Sequence, residues 1–226
     1  MTSSEQPAPP SARRRATRER LLDAALAVFV EDGVQGAAVE AICARADFTR
    51  GAFYSNFDSK EQLFQALLER EFMRRADYVQ SQAAAIEPRL RESCRGFTSA
   101  DAAELIAEFF IFETTLAEGD ATAWFVLETE FLLLAMRDPS LAPDYYQFME
   151  GFYAGISPVV ARVVAAAGRR FTLPLELAMP ILGGLYQRAL RSTALAGASA
   201  AGGIDDLGAD LAELLFALTE EITPGD

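Results

Sequence analysis

The residues between Val39 and Lys60 bring together the side chains best suited to gripping a polyanion. In the stretch AVEAICARADFTRGAFYSNF, apolar residues recur at intervals of three and four. Val39, Ile42, Cys43 and Ala46 lie in its first half, and Phe53 and Phe57 in its second. That period predicts two short amphipathic helices separated by a turn at Asp47-Phe48. Thr49 stands where its hydroxyl can accept an orphan N–H from the first turn of the second helix. With Phe53 and Phe57 turned inward, at about 100° per residue, Gly51 and Ser55 point directly away, flanked by Ala52 and Tyr54. A solvated helix ordinarily carries Lys and Glu on its outer face. Gly, Ala and Ser there suit a backbone that must sit deep in the major groove of a duplex. Arg50 has the reach and fork geometry for guanine or phosphate. Tyr54, Asn56 and Lys60 can hold phosphates on either side, and the helix opening at Lys60 adds its dipole.

Charge points the other way until the chain is divided. The 226 residues carry a net charge of −13, which taken whole argues against nucleic acid. Residues 1–75, however, hold 11 basic and 11 acidic side chains, so the whole excess lies in the remainder. Arg13, Arg14, Arg15, Arg18 and Arg20 crowd one short stretch, opposed by Glu19 alone. A polyanion is therefore expected at the N-terminal end, with Arg14 and Arg15 among its contacts, while the acidic bulk keeps the remainder off it.

The elements that must position these residues are helical throughout. Residues 1–12, rich in Pro and Ser without an apolar period, are expected to be a disordered tail. A first helix is expected from about Arg15 to Glu31, with Leu22, Ala25, Leu26 and Phe29 inside and Gly33 ending it. The two short helices follow, and then a long one from Lys60 past Asp77. Five more are expected near 101–118, 120–136, 143–167, 174–196 and 205–222, punctuated by Pro139, Pro143, Pro174 and the run Gly197 to Gly203. Pro158 and Pro180 fall inside two of them. Strand signals are nearly absent. The fold class is all-α: a helix-turn-helix domain at 13–60, its motif at about 38–57, followed by a larger helical domain at 61–226.

The stretch from about Thr17 to Leu68 resembles the DNA-binding domain of the tetracycline-repressor (TetR/AcrR) family. FTRGAFYSNFDSKEQLF is its most specific part, with an aromatic pair, a Tyr, and Ser-Lys-Glu opening the next helix at the family's spacing. Three positions depart from the family pattern: Asp47 where the turn usually has Gly, Ala37 and Ala38 where Thr or Ser is usual, and Asn56 where His is frequent. The resemblance implies a sequence-specific transcriptional regulator, a repressor released by a small-molecule effector. It further implies a homodimer on a near-palindromic operator of double-stranded DNA. The DNA-contacting residues are then expected to be Arg14, Arg15, Thr49, Arg50, Gly51, Ala52, Tyr54, Ser55, Asn56 and Lys60.

In the larger domain, the resemblance implies an effector pocket and a dimer interface. Glu113 projects into an apolar arc that includes Phe109, and Glu128 lies on a helix that is apolar on nearly all sides. A buried carboxylate must meet a cation or a donor. Either it contacts a ligand, with Trp124, Tyr145, Phe148 and Phe152 among the pocket walls, or it forms an internal ion pair with Arg137, Arg162 or Arg188. The last two helices are the dimer candidates, through Leu182, Gly183, Gly184, Tyr186 and Ala189 and the stripe Leu207, Leu211, Leu214, Leu215 and Leu218.

Other classes have little support. The chain contains no His, no Gly-rich phosphate loop, no nucleophile elbow and no paired cysteines, since Cys43 and Cys94 stand far apart. The expectation is a protein that is not an enzyme and needs no cofactor or metal. No secretory signal and no uncharged apolar stretch of about 18 residues is visible, so a cytoplasmic location without membrane contact is expected, with both thiols reduced.

Overall fold

The computed structural model describes residues 12–93, 97–116, 121–197 and 199–223, except the side chains of Ser93, residues 109–116, Ala121 and Asp144. The tail expected at 1–12 therefore lies, apart from Ala12, outside the described residues, as do Cys94 and the side chains of Phe109 and Glu113. Among the described residues the chain forms nine α-helices and one two-stranded sheet. In chain order these are α1 (Ala12–Gly36), α2 (Val39–Ala46), α3 (Arg50–Tyr54), α4 (Lys60–Ser93), α5 (Ser99–Leu116), α6 (Ala121–Arg137) and α7 (Ala142–Ala166). Then come β1 (Arg169–Phe171), α8 (Leu175–Ala196), α9 (Leu207–Ala217) and β2 (Thr219–Glu221).

Two compact units divide the chain between Glu71 and Phe72, a point inside α4. The first unit extends past residue 60 because the opening turns of α4 supply part of its core. Leu63, Phe64, Leu67 and Leu68 are buried there with Leu21, Ala25 and Phe29 of α1. The rings of Phe29 and Phe64 meet edge to face, 5.1 Å apart. Burying aromatic rings in this geometry adds to the area term and fixes how the helices cross. Gly33 does interrupt α1, with φ 71°, but the helical hydrogen bonding resumes for a further turn. That extra turn is held because it buries Val34 completely.

The second unit is built around α5 and α9. Gly208 lies against the α5 backbone so closely that a Cβ would stand 3.0 Å from the Ala103 carbonyl oxygen. Close approach lets α9 bury Leu207, Leu211 and Ala212. Of the leucine stripe of the last helix, Leu207 and Leu211 are thus core within this unit, while Leu214, Leu215 and Leu218 are half-buried.

Two departures from an all-helical chain are short strands. Of the helix expected over 205–222, α9 ends at Ala217 and residues 219–221 pair antiparallel with β1. Arg169 explains the switch. Its guanidinium lies 4.0 Å from the Phe216 ring centroid and donates to the Thr219 carbonyl oxygen at 2.9 Å. Opposite charges across the ladder support it, with Arg170 Nε 2.9 Å from Glu220 Oε1. These strands tie the α7–α8 connection to the chain beyond α9. Pro158 and Pro180 lie on exposed faces, and neither ends its helix.

By length and composition alone, Tyr145–Ala166 of α7 would suffice to cross a membrane. Only 11% of its most apolar window is buried. The helix also carries Glu150 and Arg162, charges that are costly in hydrocarbon. Tyr146, Gly151, Ala154, Gly155 and Pro158 are exposed along it. On α8 the exposed apolar residues are Leu177, Ile181 and Leu195.

Candidate functional site

In the first unit the short helices stand where the apolar period placed them. α2 buries Ile42, Cys43 and Ala46 and leaves Val39 half-buried. It stops because Asp47 enters the left-handed region at φ 56°, with Phe48 N–H donating back to the Cys43 carbonyl oxygen at 2.9 Å. Outside glycine, that conformation costs on the order of 1 kcal/mol, and Asp is among the few residues that visit it routinely. Thr49 caps α3, its Oγ1 accepting from Ala52 N–H at 3.2 Å. Phe53 and Phe57 are completely buried, with ring centroids 6.0 Å apart. Gly51 and Ser55 are exposed, Ala52 is partly exposed, and Tyr54 retains 48% of its surface.

Polar side chains around this face divide into two sets. Arg50 stands free of the core: its Nη1 lies 2.8 Å from Glu40 Oε1, with both side chains about 60% exposed. Its guanidinium carbon is 5.8 Å from the Tyr54 ring centroid. A hydrogen bond to Tyr54, followed by the Glu40 carboxylate, raises its pKa further above the usual arginine range. The second set is engaged internally. Lys60 Nζ donates to the carbonyl oxygens of Gln35 at 3.1 Å and Ala37 at 2.9 Å. Asn56 Nδ2 donates to Ala52 O at 2.8 Å and Ser55 Oγ at 3.2 Å, while its Oδ1 is buried without a hydrogen-bond partner. Ser55 Oγ itself donates to Ala52 O at 2.8 Å.

Both Asn56 and Lys60, expected to hold phosphates, are engaged here with acceptors of the chain itself. The chain ends of α1 and α3 leave carbonyls unsatisfied, and these donors are the nearest groups able to satisfy them. The arginine cluster shows the same division. Arg18 donates to Asn56 O at 2.6 Å with its guanidinium 4.2 Å from the Phe57 ring centroid. Arg20 donates to Ala46 O at 2.8 Å and lies over Phe48 at 4.5 Å. Arg14 reaches Ser55 O at 3.4 Å and, like Arg15, is exposed. Part of the basic stretch that charge counting assigned to a polyanion thus clamps the ends of α2 and α3. Nothing in the spacing marked Glu40 as the neighbour of Arg50; the αL turn at Asp47 brings them together.

The second unit contains a cavity of about 340 Å³. Apolar side chains dominate its wall, among them Phe72, Ile86, Phe152, Val163 and Leu190. Of the expected ligand residues, Glu128 and Phe152 line it. Trp124, Tyr145 and Phe148 do not. Trp124 is buried, Tyr145 packs 6.0 Å from Phe131, and Phe148 stacks edge-on against Phe72 at 4.3 Å, so each ring stands behind the wall. The wall residues that the sequence did not single out include Arg75, Gln82 and Gln187.

Burial raises the Glu128 pKa above the ordinary carboxyl range, and the Arg75 charge opposes that rise. Burial, followed by the Glu128 charge, also raises two neighbouring phenols, Tyr145 to about 12 and Tyr153 in the same direction. Among the described residues no ion pair joins this carboxylate to Arg137, Arg162 or Arg188. Arg162 meets Glu87 at 3.2 Å and Arg188 meets Asp210 at 2.6 Å. Among the described residues Glu128 has no hydrogen bond or ion pair.

Comparison with known proteins follows the same two units. Residues 21–67 match the family model described as bacterial regulatory proteins, tetR family. The HTH-type transcriptional regulator TtgW of Pseudomonas putida is 45% identical over 58 residues, 26% of this chain and 43% of TtgW. UidR of Escherichia coli (strain K12), also an HTH-type transcriptional regulator, is 32% identical over 126 residues, 56% of this chain and 55% of UidR. The chain thus spans about half the length of these curated relatives. A crystal structure of a TetR-family regulator from Mesorhizobium loti MAFF303099 superposes with a TM-score of 0.69 at 18% identity, covering 92% of this chain and 99% of that one. Residues 21–67 thus carry the segment described by the model of the tetR family of bacterial regulatory proteins, and the fold of the chain is like that of the solved TetR-family structure.

Proposed function

We propose that the chain is a DNA-binding transcriptional regulator, a homodimeric repressor that leaves a near-palindromic operator when a small molecule fills the cavity of its second unit. One observation carries the first half of this reading: the outer face of α3 is Gly51, Ala52 and Ser55, with Arg50 and Tyr54 exposed beside it. A backbone so little encumbered can enter a major groove, and Arg50 can read a guanine edge there. Arg14, Arg15, Thr49 and Tyr54 then hold phosphates and fix register. Asn56 and Lys60 act from behind by holding the ends of α3 and α1. The test is selection of bound fragments from a random duplex pool, followed by titration at several salt concentrations. A preferred inverted repeat and a steep fall in affinity with salt are the expected result. Binding without sequence preference would overturn it.

A second copy of the chain is the occupant we propose for the exposed apolar faces of α7 and α8. Small residues on α7 permit close helix approach, and Leu177 and Ile181 on α8 offer apolar area that a lone protomer leaves in water. This reading adds α7 to the expected α8–α9 pair; of the α9 stripe, Leu207 and Leu211 are buried in the protomer and Leu214, Leu215 and Leu218 are half-buried. Light scattering at micromolar concentration should give twice the mass of 24.6 kDa.

A further inference from the structure

The effector reading leaves open what kind of molecule the cavity takes, and the assignment of a ligand class rests on that reading. The cavity wall is apolar apart from a few side chains, and the charged groups among its described lining residues are Arg75 and Glu128. These differ in how far they are already satisfied. Arg75 has its guanidinium 5.4 Å from the Phe72 ring centroid and further interactions besides. Glu128, on α6, has no hydrogen bond or ion pair among the described residues. Such a carboxyl group in an apolar hollow is costly when charged and stays so until something in the hollow answers it.

The rings near it add a second feature. Phe152 and Phe72 meet in a T-shaped arrangement at 4.9 Å, Tyr153 follows at 5.8 Å from Phe152, and all three rings line the cavity. Tyr153 can lie flat against α8 because residue 183 is glycine; a Cβ there would collide with the phenol oxygen. Aromatic rings and a carboxylate without a hydrogen bond both attract positive charge, beyond what the Arg75 charge already supplies.

We propose that the cavity binds a lipophilic cation, an apolar body carrying one ammonium-type group that meets Glu128 and the faces of Phe152 and Tyr153. Because burial disfavours the Glu128 carboxylate, such a cation draws that group into its charged form, and a proton is released on binding wherever Glu128 was protonated beforehand. The other charged or titratable groups that face it among the described residues are Arg75 on α4, whose charge favours the carboxylate, and Tyr145 and Tyr153 on α7, whose phenols burial holds above the ordinary range.

The experiment uses the full chain and three probes of one shape: 4-phenylbutylammonium, 4-phenylbutanol and 4-phenylbutanoate. Calorimetry should show the cation bound about tenfold tighter than the alcohol, the scale of one desolvated cation–ring contact. Its affinity should rise with pH, its heat should depend on the ionisation enthalpy of the buffer, and the butanoate should bind weakest. In Glu128→Gln the preference for the cation should vanish while the alcohol binds as before, which separates a lost charge from a lost fold. Equal binding of all three, or tightest binding of the anion, would overturn the cation assignment and leave the effector cavity standing. No binding by any of the three would count against the cavity as an effector site and against this proposal with it.

Discussion

Arg50 Nη1 and Glu40 Oε1 lie 2.8 Å apart across the turn between α2 and α3, both well exposed. A pair this open to solvent contributes little to stability, about 0.5 kcal/mol or less. Its consequence is for binding, since the carboxylate occupies the guanidinium that the major groove would otherwise engage. Arg50→Ala should leave the melting temperature within about 2 °C of the parent yet blur operator preference. Glu40→Gln should tighten binding to every duplex by freeing the guanidinium and removing a repelled charge. Parallel anisotropy titrations of operator and scrambled duplex would show both effects.

Tyr54 and Lys60 should separate by what they disturb. Tyr54→Phe removes an exposed hydroxyl, so stability should hold while DNA affinity falls roughly equally across sequences. Lys60→Ala removes both hydrogen bonds to Gln35 O and Ala37 O. It should cost about 1–3 kcal/mol, because two carbonyls at the end of α1 lose a charged donor. Urea melts of the two variants would distinguish them.

Arg18 is a clamp. Its hydrogen bond to Asn56 O and its place over Phe57 join α1 to the end of α3. Arg18→Ala should destabilise the first unit by about 1–2 kcal/mol. Arg18→Lys should recover little of it, since an ammonium cannot lie flat on the ring and donate sideways at once. Hydrogen exchange at the amides of α3 would report the loosening.

Glu128 should make stability depend on pH in a known direction. Its pKa is raised above 4.5 in the folded chain, so folding favours the protonated form. The stabilising contribution is full below about pH 4.5 and is lost as pH rises through the folded-state value. Without ligand, the second unit should therefore weaken as pH rises above about 4.5, and Glu128→Gln should flatten that slope. Denaturant melts of both proteins at a series of pH values test this.

Ile181→Glu, on the exposed face of α8, should halve the mass seen by light scattering without unfolding the chain. The side chain is 45% exposed in the protomer, so a carboxylate there is hydrated when alone and desolvated only against a second copy. A variant that remained dimeric would place the interface elsewhere.

Much of the DNA-facing element is legible in the residues themselves, because the forces that set it are local. The period of Val39, Ile42, Cys43, Phe53 and Phe57 decides which faces are buried. Thr49 caps where a hydroxyl precedes a helix, and the outward Gly51-Ala52-Ser55 face follows from 3.6 residues per turn. What spacing cannot decide is how donors are shared across distant segments. Asn56 and Lys60 read as phosphate ligands in the chain, and Arg18 and Arg20 as part of a basic stretch, because a phosphate oxygen and a buried carbonyl look alike to a polar side chain. Only the packing of α1 against α2 and α3 turns these groups inward. The same limit applies to Glu128: its place on an apolar helix foretold burial, but whether an arginine would answer it depended on where Arg162 and Arg188 found acidic partners. They found Glu87 and Asp210, and the carboxylate lines a cavity with Arg75 in the same wall.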